Sequence, residues 1–359
     1  MQGTVIKTLP NQNKANFYTF FFTMNPILEE SVRRATHAGS WYPSCPITLT
    51  KNLEDYLNKA ESNDFTNVKA IISPHAGYSY CGDTASYAWK SLTFLQQPIK
   101  QVVIIAPSHY CQFQGFKVPF AKCQFYATPL GLFELDTLAL DTLAVELNAT
   151  YLTKEEDEEE HSVEMMLPFL YIQLNNMLKK KTKEIDTGRN SSSHIEQMKK
   201  EKKSLPKLIP LLVGSVMDVT PLLKYFNDPE CLFVISSDFC HWGKRFHYMY
   251  TPKPLHEKEE TINALIQRLD MEAITCICNH NIDDFEKHLR ITRNTICGAN
   301  ALIILLHGFI YIFFICKLIQ KSNMSLKTNV LHYSQSSLIT NPTRNTSVSY
   351  ASLLTFTQI

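Results

Sequence analysis

The chain has 359 residues, of which 45% are hydrophobic, and 35 basic and 34 acidic side chains nearly cancel to a formal net charge of +1. This composition is typical of a globular protein and excludes disordered and collagen-like chains. The balanced charge gives no general reason to expect nucleic acid as a partner, and we predict none. The ten cysteines are scattered singly or as Cys276-Ile-Cys278, so we expect a reducing compartment, the cytoplasm and also the nucleus.

The N-terminal region contains the apolar segment FYTFFFTM at 17–24, which follows a polar lead. A secretory signal begins instead with a compact basic region, so we do not expect export.

Four apolar, β-rich runs recur along the chain, and segments with helical periodicity lie between them. The runs are AIIS at 70–73, QVVIIAPS at 101–108, LIPLLVG at 208–214 and CLFVISS at 231–237. This alternation predicts an α/β fold with a largely buried sheet.

Two charged segments interrupt this pattern. Residues 179–206 are rich in Lys, Ser, Glu and Asn, and we predict a disordered insertion there. The acidic block 155–160 is interpreted as the solvated start of a helix.

The apolar run 301–319 approaches the roughly 20 residues that a membrane-spanning helix needs. His307 and Gly308 interrupt it, and a span here would isolate the polar, strand-like tail 328–359. We therefore predict a buried helix that is longer than a core requires, without membrane insertion.

Titratable side chains follow three of the four predicted strands. His75 lies just after the first, His109 after the second, and Asp238 and His241 after the fourth. Ligands of open α/β sheets gather beyond the carboxyl ends of the strands, so these side chains form a candidate site.

Three kinds of chemistry fit these residues. Imidazoles bind zinc, copper and iron, and a carboxylate completes or orients such a set. The alternatives are acid–base catalysis by an Asp-His pair and structural hydrogen bonding at loop entries. A Ser-His-Asp hydrolase is disfavoured because the chain has no GxSxG motif. The spacing does not distinguish metal binding from acid–base catalysis or from structural hydrogen bonding.

Several segments also resemble the Memo family, in order from about residue 36 to 351. They are THAGSWYP at 36–43, PHAGYSYCG at 74–82, APSHY at 106–110, EEHSVEMMLPF at 159–169, VISSDFCHWGKRFHY at 234–248, NTICG at 294–298, and YSQSS and SVSYA in the tail. Memo proteins in turn resemble class III, LigB-like extradiol dioxygenases, which use non-haem iron. The resemblance implies a single α/β domain, with a mixed central β-sheet flanked by helices, over residues 36–359. Residues 1–35 would then form a poorly ordered extension.

Carried over by motif, the resemblance places metal ligands at His75, His109 and Cys297, with Asp238 and His241 lining the same pocket. From the sequence alone, Cys297 would be interpreted as a small buried residue. A thiolate beside two imidazoles is softer than the two-histidine, one-carboxylate set of an oxygenase. Iron(II) and copper, with zinc as a further option, are the expected metals.

The same cysteine argues against classical ring cleavage, which usually has a hard carboxylate at the third protein position. The resemblance implies a metal-binding protein with oxidant-producing redox activity that acts in receptor tyrosine kinase signalling and cell motility. It also implies a pocket for phosphotyrosine peptides, for which His241, Trp242, Lys244 and Arg245 offer stacking and charge-assisted hydrogen bonds. Two alternatives stay open: a dioxygenase-like enzyme acting on a small aromatic substrate, and an adaptor whose metal residues are vestigial.

The chain departs from the family pattern at several places. Met165-Met166-Leu167-Pro168 stands where the family tends to have EMHLP, and Ala299-Asn300-Ala301 replaces a cationic residue and a proline. The segments 179–206 and 308–316 match nothing that we recognise in the family. Residues 1–23 precede a typical family start, so Met24 is a candidate initiator and we expect folding to survive their deletion.

Overall fold

The computed structural model describes residues 29–61, 65–95, 98–187, 205–215, 218–252, 260–318 and 325–358. The helices and strands are, in chain order, β1 (Val32–Arg33), α1 (Pro46–Lys59), β2 (Val68–Ser73), α2 (Tyr78–Lys90), β3 (Gln101–Pro107), β4 (Phe116–Val118), β5 (Phe125–Thr128), β6 (Gly131–Glu134), α3 (Thr137–Glu146), β7 (Thr150–Tyr151), α4 (Lys154–Glu159), α5 (Leu167–Thr187), β8 (Lys207–Val213), α6 (Leu223–Asn227), β9 (Cys231–Ser236), β10 (His241–Trp242), α7 (Ile262–Cys278), α8 (Ile282–Thr292), α9 (Ala299–Leu318), β11 (Ser325–Gln335) and β12 (Ser347–Gln358). Short 3-10 helices cover Ser91–Phe94, Glu164–Met166, Thr220–Leu222 and Lys244–Phe246.

The four apolar runs form the adjacent strands β2, β9, β3 and β8 at the centre of a mixed sheet. These strands are parallel, with Ile72 opposite Ile235 and Val103 opposite Phe233. The full order over the described residues is β10-β12-β2-β9-β3-β8-β4-β7, and β11 pairs with β12. Helix α2 packs on β2 and β12, and α9 packs on β3 and β9. The predicted α/β fold with one mixed central sheet is confirmed.

A second, smaller sheet shows that the ordered chain begins before residue 36, the boundary expected from the sequence. Strand β1 runs parallel to β5, with Val32 opposite Phe125. The Arg33 side chain is fully buried and pairs with Glu164 at 2.6 Å and Asp157 at 3.3 Å. Two buried carboxylates therefore hold this strand in the domain. Residues 1–28, including the segment 17–24, lie outside the described residues.

The apolar run after residue 300 forms the buried helix that the sequence predicts. The α9 side chains up to Phe309 and Ile312 are largely in the core, whereas Phe313 and Phe314 are 54% and 58% exposed. Helix α9 is thus longer than the core requires. Within the described ranges, no helix has the length and apolar character needed to cross a bilayer.

The two charged segments differ from expectation. The predicted insertion at 179–206 lies outside the described residues from 188 to 204, while its first part continues α5 to Thr187. The acidic block does begin a helix, where Thr153 and Glu156 form a capping box. It is not solvated throughout, because Asp157, Glu158 and Glu160 are buried. Neighbouring arginines, histidines and backbone N–H groups compensate these charges.

A cavity of about 460 Å³ lies beside the end of α9, where Phe309 and His280 are among its lining residues. Ser325 and Thr357, at the start of β11 and the end of β12, also line it. The end of β12 pairs with the start of β2, so this cavity lies at the amino-terminal edge of the parallel strands. The predicted site lies at the opposite edge.

Candidate metal centre

The site is built by loops at the carboxyl ends of three parallel strands. His75 lies two residues beyond the end of β2, His109 two beyond β3, and Asp238 two beyond β9. Parallel strands end at the same edge of a sheet, so the backbone brings these residues together as the sequence predicted. His75 is 1% exposed, whereas the His109 side chain is 33% exposed. Solvent therefore reaches the site from the His109 side.

A third imidazole, His161, joins His75 and His109. One ring nitrogen from each of these histidines lies within 4.8 Å of the others. This spacing suits three ligands around one ion, since imidazole nitrogen binds zinc at about 2.0–2.1 Å. His161 was not among the ligands predicted from the sequence. It sits in the loop after α4, not at a strand end, and the only signal was its place in the EEHSVEMMLPF segment.

The carboxylate of Glu160 faces two of these rings. Its Oε1 atom lies 3.0 Å from His109 Nδ1 and 3.5 Å from His161 Nδ1. Burial alone would raise the pKa of this carboxyl, but the hydrogen bond and charge of His109 and the charge of His161 outweigh it, and the pKa lies well below its usual range. Glu160 is therefore a charged acceptor for the His109 Nδ1–H group, and its charge lies beside the His161 ring.

His75 is oriented by a hydroxyl group. Ser236 Oγ lies 2.7 Å from His75 Nδ1 and donates its own hydrogen to the Ser162 carbonyl at 2.8 Å. The hydroxyl must therefore accept from His75 Nδ1–H. His75 and His109 then keep the hydrogen on Nδ1, which leaves the Nε2 lone pair of each ring available for a ligand.

Burial keeps His75 and His161 neutral. It lowers the pKa of His75 well below its usual value, and the charge of His109 lowers it further. Burial, with the charges of His75 and His109, lowers the pKa of His161 to about 3. A metal ligand must be deprotonated, so both rings are already in the binding form at neutral pH.

Cys297 lies against the same group. Its Sγ atom is 3.1 Å from His75 Nε2 and accepts a hydrogen bond from the Asp238 backbone N–H at 3.1 Å. Burial raises the pKa of the thiol well above its usual value, and the charge of Asp238 adds to this. The metal-free thiol therefore stays protonated, although a bound cation would favour the thiolate.

The two predicted pocket residues, Asp238 and His241, make different contacts. The Asp238 carboxylate is buried and accepts from the His75 backbone N–H at 2.8 Å. Burial raises its pKa, against the opposing charge of His241. His241 Nδ1 lies 2.9 Å from the Phe239 carbonyl and 3.1 Å from that of Thr295. Carbonyls only accept, so this ring also leaves Nε2 free.

The expected role of Trp242 at the mouth is wrong. Its side chain is 2% exposed and its Nε1–H donates to the Tyr250 carbonyl at 3.1 Å, so it cannot stack on a ligand. Lys244 and Arg245 are exposed, as expected. The aromatic side chain beside the imidazoles is instead Trp41, whose ring centroid lies 4.3 Å from that of His161. Trp41 belongs to the THAGSWYP segment and was not predicted as a site residue.

The two departures from the family pattern lie close to the site. Met165 and Met166 are fully buried in the core, so the second contributes packing where an imidazole was expected. Asn300, near the start of α9, donates from Nδ2 to the Gly214 carbonyl at 2.9 Å. It thereby ties α9 to the end of β8 and adds no positive charge beside Cys297.

Comparison with known proteins points to the same family as the sequence motifs. The family model described as Memo-like protein matches residues 33–354. Protein MEMO1 of Homo sapiens is 32% identical over 330 residues, covering 89% of this chain and 95% of its own. Protein memo-1 homolog of Caenorhabditis elegans is 32% identical over 337 residues, covering 91% and 83%. A match of this extent shows that the chain belongs to the Memo family.

Proposed function

We propose that this protein binds a redox-active metal, iron(II) or copper, through His75, His109 and Cys297, with zinc as a further option. The approach of His75, His109 and His161 to one another, with the Cys297 thiol 3.1 Å from His75 Nε2, supports this most directly. His161 supplies a further donor beside His75 and His109. Nitrogen and sulfur donors suit these three metals and not magnesium or calcium.

The donor set favours this role over aromatic ring cleavage. The two nearby carboxylates, Glu160 and Asp238, both accept backbone N–H groups of the histidine loops. Neither carboxylate belongs to the group of side chains whose ligand atoms could share one ion. A bound iron or copper ion would supply one-electron redox chemistry. The chain itself would hold the ion, keep His75 and His161 neutral, and line the pocket with Asp238 and His241.

Anaerobic titration of the reduced, metal-free protein with iron(II), copper(I) and zinc tests this proposal, with bound metal measured by mass spectrometry. We expect one ion per chain. Cys297→Ser should weaken copper(I) binding at least tenfold, because copper(I) prefers a soft sulfur ligand. Cys278→Ser, on α7, is the matched control and should bind like the native chain. If the native protein takes up none of these metals, or if Cys297→Ser binds them unchanged, the proposed ligand set is wrong.

We also propose that the mouth of the site takes a phosphotyrosine peptide of a receptor tyrosine kinase, so that the protein acts in signalling and cell motility from the cytoplasm and nucleus. The exposed Lys244 and Arg245 offer charge for a phosphate, and His241 offers a free Nε2. Fluorescence anisotropy with paired phosphorylated and unphosphorylated peptides checks this. Binding that does not depend on the phosphate, or that survives His241→Ala together with Lys244→Ala, would contradict it.

A further inference from the structure

We propose that Glu160 is a positioning residue that fixes the tautomer of His109, so that this ring presents Nε2 to the centre. The effect of Glu160 on metal affinity rests on the proposed function. The tautomer itself is a property of the metal-free chain.

Glu160 is 2% exposed and is surrounded by hydrogen-bond donors. Its two oxygens accept four hydrogen bonds, from the backbone N–H groups of His109, Tyr110 and Ser162 and from His109 Nδ1–H. An ionised carboxylate has about four lone-pair positions, so these donors saturate it. If the His109 hydrogen moved to Nε2, the bare Nδ1 atom would face the carboxylate. The backbone contacts fix the carboxylate in place, and the carboxylate then fixes the His109 imidazole.

Two residues of one segment thus act on two of the rings. Glu160 orients His109. Ser162 acts on His75, because its carbonyl takes the hydrogen of Ser236 Oγ and leaves that oxygen as the acceptor for His75. One imidazole depends on a carboxylate and the other depends on a hydroxyl, so the two orientations can be separated by mutation.

Replacing Glu160 with glutamine tests the charge while keeping the shape. The amide keeps one acceptor oxygen but turns an NH₂ group toward N–H donors. Either His109 Nδ1–H or the backbone N–H groups of His109 and Tyr110 then lose their acceptor, and the His109 ring is no longer held in one form. Carboxylate partners of ligating histidines typically contribute 10–100-fold to metal affinity. We expect a weakening of about this size in Glu160→Gln.

The decisive measurement is long-range ¹H–¹⁵N NMR of the imidazole nitrogens in the metal-free, full-length protein. The native chain should show hydrogen on Nδ1 in His75 and His109. In Glu160→Gln, His109 should lose this single form while His75 keeps it. Ser236→Ala should produce the reverse pattern. Glu158→Gln is the matched control, since Glu158 is also buried in this segment but pairs with Arg34.

Two results would overturn the inference. One is a native protein in which His109 carries its hydrogen on Nε2, and this result stands even if Glu160→Gln does not fold. The other is a folded Glu160→Gln protein with unchanged tautomers and unchanged zinc affinity. If the native protein shows the expected tautomers yet binds no metal, the positioning role holds and only the proposed metal function fails.

Discussion

At Gly298 the chain passes so close to the end of β9 that a side chain cannot fit. A Cβ atom there would lie 2.4 Å from the Ser237 Cβ and 2.6 Å from the Ser236 carbonyl oxygen. Neither atom belongs to a flexible side chain, so the start of α9 must shift if Gly298 is replaced. Cys297 is the preceding residue, and its sulfur position depends on this close approach. The NTICG motif therefore contains both the Cys297 sulfur and the glycine whose close backbone approach positions it.

Gly298→Ala should consequently separate Cys297 from His75. We expect a loss of about 1–3 kcal/mol in the free energy of unfolding, as for other overpacked sites, together with weaker copper(I) binding. Gly77→Ala is the control, because its added Cβ would lie 3.4 Å from the nearest atom, the Trp41 carbonyl oxygen. Urea denaturation and metal titration of both variants check this. Equal behaviour of the two variants would contradict the packing argument.

At the scale of elements, the central strands were predictable from sequence and most of the site was not. Strands β2, β3, β8 and β9 are continuous apolar runs, the pattern of a strand buried on both faces. The positions of His75, His109 and Asp238 follow, because parallel strands share one carboxyl edge. His161 could not be placed in this way, since its loop reaches the site through contacts between residues distant in sequence. The buried acids of α4 were misinterpreted for the same reason: their partners Arg33 and Arg34 lie more than 120 residues away.

The buried acid Glu164 contacts the segment from β1 to Tyr42 at three side chains. Its carboxylate pairs with Arg33 and accepts hydrogen bonds from Tyr42 Oη at 2.6 Å and His37 Nδ1 at 3.0 Å. Burial would raise the pKa of Glu164, but the Arg33 charge and these hydrogen bonds outweigh it and lower the pKa from 4.5 to about 2. This carboxylate therefore stabilises the fold in its ionised form.

The stability that Glu164 contributes should depend on pH. An acid with a lower pKa in the folded state contributes fully above its unfolded pKa, here about 4.5, and the contribution is lost as pH falls toward 2. We expect Glu164→Gln to cost about 3 kcal/mol at pH 7, and this difference from the native chain should shrink between pH 5 and pH 2. Denaturant unfolding at several pH values measures it. Glu134→Gln, at an exposed ion pair with Lys207, should show a small and nearly constant difference.

At the scale of the whole molecule, the small sheet and the large sheet depend on each other through Arg33. This guanidinium lies on β1, in the small sheet, and pairs with Asp157 of α4 and with Glu164, one turn beyond His161. The matching family model also begins at residue 33. The essential fold thus starts near β1, and the extension before it should not be required for folding.

Two truncations test where the folding unit begins. Deletion of residues 1–23 should leave the melting temperature nearly unchanged, because it retains β1 and its buried arginine. Deletion of residues 1–34 removes Arg33 and leaves Asp157 and Glu164 buried without their cation, which typically costs about 3–5 kcal/mol. We expect this second protein to melt at a markedly lower temperature or not to fold. Arg33→Met in the full chain separates the loss of charge from the loss of the strand. A large drop in melting temperature for the shorter deletion would place essential contacts before residue 24. An unchanged melting temperature of the Arg33→Met protein would show that the buried ion pairs do not hold the two sheets together.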